Sequence, residues 1–344
     1  PEIIRRIKHL AQTPLPRGGP KGYHPAMFSY RHAFHAGAHS DVLKHTALIA
    51  IVKYLMQKDA GLTLIDTHAG AGLYRLDSDF TKTAGEAQDG IFKLMTTLRP
   101  ASPDSGQEKA HPGAKAPTAN TDSIAPALKD YLDLIESLNP DGRLKVYPGS
   151  PFVMHSLLRT EARDRLKLFE MHPTDSKVLA ANVAQLNAGR QIAVARLDGF
   201  EGLKAFLPPP NRRALVLIDP SYEIKTDYAK VIACVQDCLT RFATGTYVIW
   251  YPIIPRPEAH DLPRRLKTLS QKAGKPFLNV NLAIGQAEDR RVPGEPLKRP
   301  GLNASGLFII NPPHTLKSEL ELAGPQMLNA LRRGRGASFS VTIN

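Results

Sequence analysis

Short apolar runs recur along this chain, and most are separated by segments in which apolar residues have helical spacing. Seven such runs occur, at 62–65, 166–169, 192–197, 214–218, 246–250, 277–284 and 306–310. Each is short enough for a buried strand and too short for an ordinary helix. Segments such as 42–55 and 226–242 repeat apolar residues every three or four positions, as amphipathic helices do. The pattern predicts an α/β fold with a seven-stranded sheet.

The segments around these strands indicate how the chain is divided. Residues 1–26 are basic, contain Pro and Gly and lack sustained periodicity, so we expect a flexible N-terminal arm. Residues 27–314 would form the main domain, in which 73–165 is an inserted helical subdomain. Within the insertion, 100–120 is rich in Ala, Pro, Ser, Gly and Thr, which predicts a mobile linker. Residues 315–344 would form a C-terminal segment.

The charge balance narrows the choice of partner. The 344 residues include 45 Lys and Arg against 32 Asp and Glu, which gives a formal charge of +13. This excess predicts a polyanionic partner, although charge alone does not distinguish RNA, DNA and an anionic membrane. No apolar stretch reaches the roughly 18 residues of a spanning helix, so we expect a soluble protein. The candidate phosphate contacts are the basic pairs Arg212-Arg213, Arg264-Arg265, Arg290-Arg291, Lys298-Arg299 and Arg332-Arg333.

A glycine-containing turn follows the first predicted strand. Asp66 begins a D-x-x-x-G-x-G segment in which Gly70 and Gly72 allow a tight turn and a close approach of the backbone to a ligand. A dinucleotide site expects a third glycine, but position 75 is arginine. It also expects an acidic residue roughly 20 positions later, at the end of the second strand. Here the next strand that ends in an acid reaches Glu170, which argues against a plain dehydrogenase and for a large insertion.

Three later strands also end in acidic residues, which are Glu170, Asp198 and Asp219. Carboxyl ends of parallel strands share one sheet edge, where ligands of open α/β sheets bind, so we expect a ligand site there. The count and order of strands are those of a class I methyltransferase. Residues 66–72 would then hold the methionine part of S-adenosylmethionine, Glu170 its ribose hydroxyls and Asp198 its adenine amino group.

The segment Asp219-Pro220-Ser221-Tyr222 is suited to a planar base that carries an amino group. Asp219 and the carbonyl of Pro220 could each accept a hydrogen bond from that amino group, and Tyr222 could stack on the ring. The alternative is a strand end with a solvated aspartate and a tyrosine in the core. We interpret Asp219, Pro220 and Tyr222 as the catalytic residues.

Several histidines precede or begin the first predicted helix, at His32, His35, His39 and His45. No cysteine or well-spaced carboxylate completes a metal site with them, so we expect no metal. The histidines could instead contact phosphates or a nucleoside. Cys234 and Cys238 are expected to be buried thiols in a reducing cytoplasm.

A more specific resemblance rests on motifs spread from Phe28 to Pro313. They are Ser29-Tyr30-Arg31-His32, Phe34-His35-Ala36-Gly37, Asp41-Val42-Leu43-Lys44-His45, the segment 66–72, Tyr147-Pro148-Gly149-Ser150-Pro151, Glu170-Met171-His172-Pro173, Asp198-Gly199-Phe200 and Trp250-Tyr251-Pro252. In these motifs the chain resembles the RlmJ family, which methylates N6 of adenine 2030 in 23S ribosomal RNA.

The resemblance implies a Rossmann-like class I methyltransferase fold, S-adenosylmethionine as donor and 23S ribosomal RNA as partner. Asp219 would be catalytic, and Tyr30 with its neighbour Arg31 would lie near the RNA. The positions that would line the donor pocket, with Asp66, Gly70 and Gly72 from the glycine turn, are His45, His68, Ser150, Glu170, Asp198, Gly199 and Asp219. A cytoplasmic monomer is expected.

The chain departs from the family pattern in one catalytic position. The family motif reads Asp-Pro-Pro-Tyr, whereas Ser221 replaces the second proline here, so the loop loses one restraint on φ. Residues 311–314, Asn-Pro-Pro-His, imitate the motif but follow the seventh strand, and we assign them no role. Two rival functions remain open, a DNA adenine-N6 methyltransferase and an RNA-binding protein that has lost catalysis.

Overall fold

A computed structural model describes residues 32–77, 85–100, 124–286 and 301–344 of the chain. The predictions for the arm 1–26, for Tyr30 and Arg31, and for the linker 100–120 beyond its first residue lie outside the described residues. Part of the predicted insertion 73–165 is therefore also undescribed.

The central feature is an eight-stranded sheet in the order β10-β8-β9-β7-β6-β1-β4-β5. Its strands are β1 (Thr63–Asp66), β4 (Arg165–Phe169), β5 (Ile192–Ala195), β6 (Ala214–Ile218), β7 (Thr246–Pro252), β8 (Phe277–Ala283), β9 (Ala304–Ile310) and β10 (Ser338–Ile343). Strands β5, β4, β1, β6 and β7 are parallel, whereas β9, β8 and β10 are added antiparallel. A separate antiparallel pair joins β2 (Leu73–Arg75) to β3 (Val146–Pro148).

The strand count corrects the prediction of seven strands, because β10 adds an eighth at the sheet edge. It pairs with β8 from Ser338 opposite Ala283 to Ile343 opposite Leu278. Apolar and polar residues alternate along β10, which is the pattern of a half-buried strand. The ring of Phe339 lies against Gly324, where a Cβ atom would meet it at 2.1 Å. Only Phe339, Val341 and Ile343 are apolar in β10, so its apolar pattern is weaker than that of the predicted strands.

Helices cover both faces of the sheet. They are α1 (His39–Leu55), α2 (Lys93–Leu98), α3 (Pro126–Leu138), α4 (Ser150–His155), α5 (Pro173–Ala184), α6 (Gly199–Leu203), α7 (Thr226–Arg241), α8 (Pro257–Lys272) and α9 (Leu316–Leu331). Short 3₁₀ turns occur at His32–Phe34, Gly189–Gln191 and Lys204–Phe206, and a π-helical turn at Gln88–Phe92 precedes α2. The predicted helices within 42–55 and 226–242 are thus present as α1 and α7.

The sheet is buried on both faces, as the residues of β6 show. Leu215 and Leu217 belong to one apolar cluster, whereas Val216 and Ile218 belong to the other. Successive strand residues point to opposite faces, so two covered faces require a continuous apolar strand. Helix α1 lies in the first cluster, where every residue from His39 to Val52 is buried. Helices α7 and α8 cover the opposite face.

The register of the parallel strands places their polar ends together. Asp66 pairs with Leu168 of β4 and with Leu217 of β6, so β1, β4 and β6 end at the same level. The residues that follow these strands therefore emerge along one edge. In contrast, Ile310 of the antiparallel β9 pairs with Tyr247 near the start of β7. The Asn-Pro-Pro-His segment 311–314 consequently leaves the sheet at the end where the parallel strands begin, away from the acidic residues.

Candidate active site

A cavity of about 270 Å³ opens at the carboxyl edge of the parallel strands. It is lined by eight of the residues proposed from the sequence, which are His68, Gly70, Ser150, Glu170, Asp198, Gly199, Asp219 and Pro220. His45, Asp66, Gly72 and Tyr222 do not line it, and each is held behind or beside its wall. The three acids that end successive strands are thus brought into one cavity.

The glycine turn after β1 forms one wall of the cavity. Gly70 has a φ of +60°, and a Cβ atom there would lie 2.3 Å from Oη of Tyr74. Its N–H donates to Oε2 of Glu170 at 2.7 Å. Gly72 has a φ of +78°, and its carbonyl accepts a hydrogen bond from the N–H of Gly149 at 2.8 Å. Only glycine satisfies both the conformation and the close contact at position 70.

Glu170 is fixed at the end of β4 by two backbone donors. Besides Gly70, the N–H of His172 donates to Oε1 at 2.7 Å. Burial raises the pKa of Glu170 to about 7, against the opposing effect of these two hydrogen bonds. A carboxylate has about four acceptor positions, so two remain for hydroxyl groups of a ligand.

Asp66 shapes the cavity from behind. Its side chain is fully buried, Oδ2 accepts a hydrogen bond from Oγ of Ser150 at 2.6 Å, and Oδ1 accepts one from the N–H of His68 at 3.1 Å. Burial raises the pKa of Asp66 to about 6. Asp66 therefore holds the two wall residues Ser150 and His68 in place.

The opposite end of the cavity is formed around α6. Asp198 caps this helix by accepting a hydrogen bond from the N–H of Phe200 at 2.9 Å, and Nζ of Lys230 lies 4.0 Å from its Oδ2. A Cβ atom on Gly199 would lie 2.0 Å from the carbonyl oxygen of Thr67, so glycine lets α6 approach β1. The ring of His68 meets that of Phe200 edge-on, with the ring centroids 4.9 Å apart. Burial lowers the pKa of His68 to about 4.

Asp219 is held by a buried lysine that sequence reasoning did not assign to the site. Nζ of Lys44 donates to Oδ2 of Asp219 at 2.6 Å and lies 2.8 Å from Oδ1 of Asp41. Asp41 is also 3.2 Å from Nε2 of His32. Burial alone would lower the pKa of Lys44, but Asp219 and Asp41 outweigh it and raise the pKa above its ordinary value. The ammonium group is therefore a permanent positive charge beside Asp219.

Asp41 completes this chain of charges from the first turn of α1. Burial acts to raise its pKa, but Lys44 and His32 outweigh burial, and the pKa lies well below its usual range. Its Oδ2 also accepts a hydrogen bond from the N–H of Gly37 at 3.0 Å. Asp41 and Lys44 are charged residues at i,i+3 spacing in a largely apolar helix, and this sequence signal could have identified them.

Tyr222 has a different surrounding from the one expected. Its ring is only 2% exposed and packs on Tyr228 with centroids 4.7 Å apart. Its Oη donates to the carbonyl of Trp250 at 2.7 Å. The ring would have to turn out of this position to stack on a base, and that role stays a prediction. Two exposed apolar side chains that the sequence did not single out, Met171 and Ile224, line the cavity instead.

His45 lies inside the protein on α1. It is fully buried, its Nδ1 is 2.9 Å from Oη of Tyr147, and that hydroxyl is 3.0 Å from Oη of Tyr131. Burial lowers the pKa of His45 to about 3, so the ring is neutral. His32 and His45 do not share a partner, since His32 contacts Asp41 and His45 contacts Tyr147. A donor-binding role for His45 stays a prediction.

Comparison with known proteins covers nearly the whole chain. The family model RsmJ, described as ribosomal RNA large subunit methyltransferase D, RlmJ, matches residues 59–104 and 115–342. Ribosomal RNA large subunit methyltransferase J of Escherichia coli (strain K12) is 36% identical over 305 residues, which cover 89% of this chain and 94% of the relative. The protein of the same name from Haemophilus influenzae is 36% identical over 306 residues, with coverage of 89% and 94%.

A solved structure gives the same result for the fold. The crystal structure of a Legionella pneumophila protein is 30% identical, has a TM-score of 0.69, and covers 90% of this chain and 98% of its own. The fold is the α/β, Rossmann-like architecture expected from the sequence, with a mostly parallel sheet. The matched residues include all the strands whose ends form the cavity. The chain therefore belongs to the RlmJ family of ribosomal RNA large subunit methyltransferases.

Proposed function

We propose that this protein transfers a methyl group from S-adenosylmethionine to N6 of an adenine in 23S ribosomal RNA, at the family's position, adenine 2030. The observation that carries the proposal is the placement of Asp219, which faces a cavity lined by Glu170 and Asp198 and is bound by Lys44. The family membership of the chain supports ribosomal RNA as the substrate.

The residues of the cavity fit the proposed donor. The strand-end carboxylate of Glu170 has acceptor positions for the two hydroxyls of a ribose, and Asp198 has acceptor positions for an amino group. The turn at Gly70 leaves room where a side chain would collide with Tyr74. S-adenosylmethionine, when bound, supplies an electrophilic methyl group on a sulfonium.

Asp219 and Pro220 would orient the amino group of the target adenine. The lone pair of this nitrogen is delocalised into the ring, so the nitrogen is a poor nucleophile. If Oδ1 of Asp219 and the carbonyl of Pro220 each accept one amino hydrogen, the nitrogen becomes more tetrahedral and its lone pair points away from them. Holding two reactants in line is worth up to roughly 7 to 11 kcal/mol. Lys44 contributes by fixing the rotamer of Asp219 through Oδ2.

Methyl transfer would form the N6–C bond as the S–C bond of the donor breaks, and the donor would leave as a neutral thioether. The methylated nitrogen would then lose a proton, for which Asp219 is the adjacent acceptor. The adenine must first leave its stack, at a cost of a few kcal/mol. Apolar surface at the cavity, such as the side chain of Ile224, can offset part of this cost.

In two of the basic pairs, one of the two arginines is committed to contacts within the protein. Arg213 donates to the carbonyls of Leu55 and Ala60, and Arg333 binds Asp89 and Asn303. The pairs Arg290-Arg291 and Lys298-Arg299 lie outside the described residues. Arg265 and Lys272 on α8 are exposed and remain better candidates for phosphate contacts.

The test is transfer of labelled methyl groups to deproteinised, unmodified 23S rRNA and, in parallel, to duplex DNA, with the product nucleoside identified by mass. We expect N6-methyladenosine at a single position in the RNA and none in the DNA. Transfer to DNA alone would indicate the rival substrate. Donor binding without transfer to either polymer would indicate a binding protein that has lost catalysis.

Among the helices of the described ranges, none is both long and apolar enough to cross a membrane. We propose that the protein acts in the cytoplasm, where ribosomal RNA is processed. The division into arm, methyltransferase domain, insertion and C-terminal segment stays a prediction, as do the monomeric state and the lack of a metal.

A further inference from the structure

The loop that carries Asp219 contains a conformation that needs external support. Tyr222 has a φ of +55°, which is in the left-handed region that large side chains rarely adopt. Such residues persist only where surrounding contacts fix them. Pro220 restrains one φ in the loop, but Ser221 leaves the next one free. The position of Asp219 therefore depends on what holds Tyr222.

Contacts from three neighbouring elements hold Tyr222. Nη1 of Arg256, just before α8, donates to the carbonyl of Tyr222 at 2.9 Å. Oη of Tyr222 donates to the carbonyl of Trp250 in β7 at 2.7 Å. The ring also packs on Tyr228 in the first turns of α7. Arg256 acts directly on the carbonyl of this strained residue, whereas the N–H of Tyr222 donates to Asp227 in the first turn of α7.

Arg256 is not part of the cavity wall. The lining includes Asp219, Pro220, Ser221, Glu223 and Ile224 but neither Tyr222 nor Arg256. The arginine thus acts from behind the loop, on the side away from the cavity. Its guanidinium is partly buried against that side. A group in this place can change where Asp219 lies without contacting either reactant.

We propose that Arg256 is a positioning residue for methyl transfer, which holds the Asp219 loop in its reactive conformation by binding the carbonyl of Tyr222. Lys44 fixes Asp219 from the α1 side, and Arg256 fixes the far end of the same loop from the α8 side. The inference rests on the proposed function, because it assigns Arg256 a part in that reaction.

The first test compares Arg256→Ala and Arg256→Lys with the wild-type enzyme on 23S rRNA. A small displacement of a reacting group can cost up to about a hundredfold in rate. We expect Arg256→Ala to lower kcat by about 10- to 100-fold, with KM for RNA and Kd for S-adenosylmethionine within about twofold. Lysine can still donate one hydrogen bond, so Arg256→Lys should have an intermediate kcat.

The matched control is Arg241→Ala, which removes an arginine at the exposed end of α7 that pairs with Asp237. It should leave kcat unchanged. An equal loss in Arg241→Ala would overturn the proposal, because the effect would then reflect overall charge. A rise in KM for RNA with unchanged kcat in Arg256→Ala would also overturn it, since Arg256 would then be an RNA contact.

A second readout needs no turnover. Hydrogen exchange of the amides at 221–224 should be at least about tenfold faster in Arg256→Ala than in the wild type, whereas exchange in β6 should be unchanged. Equal exchange in the loop would contradict the inference. Failure of the wild-type enzyme on rRNA would instead contradict the proposed function. If Arg256→Ala does not fold, Tyr222→Phe removes the bond to Trp250 and should give the same pattern of lowered kcat and faster loop exchange.

Discussion

At the scale of single residues, the site depends on charges that are fixed before any ligand arrives. Lys44 and Asp219 are 175 positions apart in the chain but 2.6 Å apart in the fold. Asp41 gives Lys44 a second carboxylate, so its ammonium charge is paired although the residue is only 3% exposed. Buried charges are tolerated when they are paired in this way. Oδ2 of Asp219 is therefore bound by Lys44, and Oδ1 is left to accept a hydrogen bond from the amino group of the adenine.

Glu170 leads to a prediction on pH. Burial raises its pKa to about 7, so only the ionised form above that pH offers all its acceptor positions. We expect the affinity for S-adenosylmethionine to fall up to about tenfold per pH unit below pH 7 and to level off above it. Calorimetric titrations between pH 6 and 8.5 measure this dependence.

The control for the pH dependence is Glu170→Gln, which cannot ionise. Its affinity for the donor should be weaker throughout and nearly flat between pH 6.5 and 8.5. A slope in Glu170→Gln equal to that of the wild type would assign the titration to another group, such as Asp66.

The raised pKa of Glu170 has opposite effects on two properties: as pH rises, donor affinity should increase, whereas the contribution of Glu170 to folding stability should decrease. Glu170 binds its proton more tightly in the folded state than in the unfolded chain, whose glutamate pKa is near 4.5. Stability from this group is therefore present below pH 4.5 and is lost as pH rises through about 7. Glu170→Gln should flatten this part of the stability profile, as measured by urea unfolding at several pH values. A wild-type stability that rises through this window and an unchanged profile in the variant would contradict the assignment.

At the scale of elements, α1 extends from the site to the end of the sheet where the parallel strands begin. Its N-terminal half carries Lys44, and the chain just beyond its end is bound by Arg159, which donates to the carbonyls of Met56 and Lys58 at 2.6 and 2.9 Å. Asp164 orients that arginine and accepts a hydrogen bond from the N–H of Leu62 at 2.8 Å. These contacts fasten α1 to the connection that leads into β1.

We therefore expect Arg159→Ala to lower the free energy of unfolding by about 1 to 3 kcal/mol, because the buried carboxylate of Asp164 loses its charged partner. Its kcat at 20 °C should remain close to that of the wild type, since Lys44 lies several turns away. Lys53→Ala, which breaks an exposed ion pair with Asp130, is the control and should cost less than about 1 kcal/mol. Chemical denaturation measures both, and equal losses would contradict the account.

The sequence predicts elements better than contacts between them. Continuous apolar runs identified the buried strands, and their acidic ends located the cavity, because both signals are local. Strand β10 was missed since only three of its six residues are apolar. The Lys44 to Asp219 pair could not be predicted from spacing, since it depends on how α1 packs against β6. The inward position of Tyr222 depends on a positive φ, which no apolar pattern encodes.

At the scale of the whole molecule, the question raised by the net charge of +13 is which exposed basic residues contact the RNA. Helix α8 begins next to the Asp219 loop, and the exposed Arg265 and Lys272 lie on one side of it, seven positions apart. Over its 16 residues the helix extends about 24 Å. An RNA strand that enters the cavity can therefore continue along a basic helix.

We expect a double variant, with Arg265 and Lys272 each changed to Ala, to bind 23S rRNA more weakly. Each phosphate contact contributes about 0.7 to the slope of log K against log salt for single strands, so the slope should fall by about 1.4. The control changes Lys53 and Lys129, which have acidic neighbours, and should keep the slope. Filter binding from 50 to 400 mM salt tests this, and an unchanged slope would exclude α8 as a phosphate contact.

The most direct test of the account is the rate of methyl transfer to 23S rRNA by Asp219→Ala and Asp219→Asn, measured beside donor affinity by calorimetry. We expect a loss of at least about a hundredfold in kcat for Asp219→Ala, a smaller loss for Asp219→Asn, which keeps one acceptor oxygen, and donor binding that is only weakened. An Asp219→Ala enzyme with the wild-type rate would contradict the role assigned to Asp219 and with it the proposed mechanism.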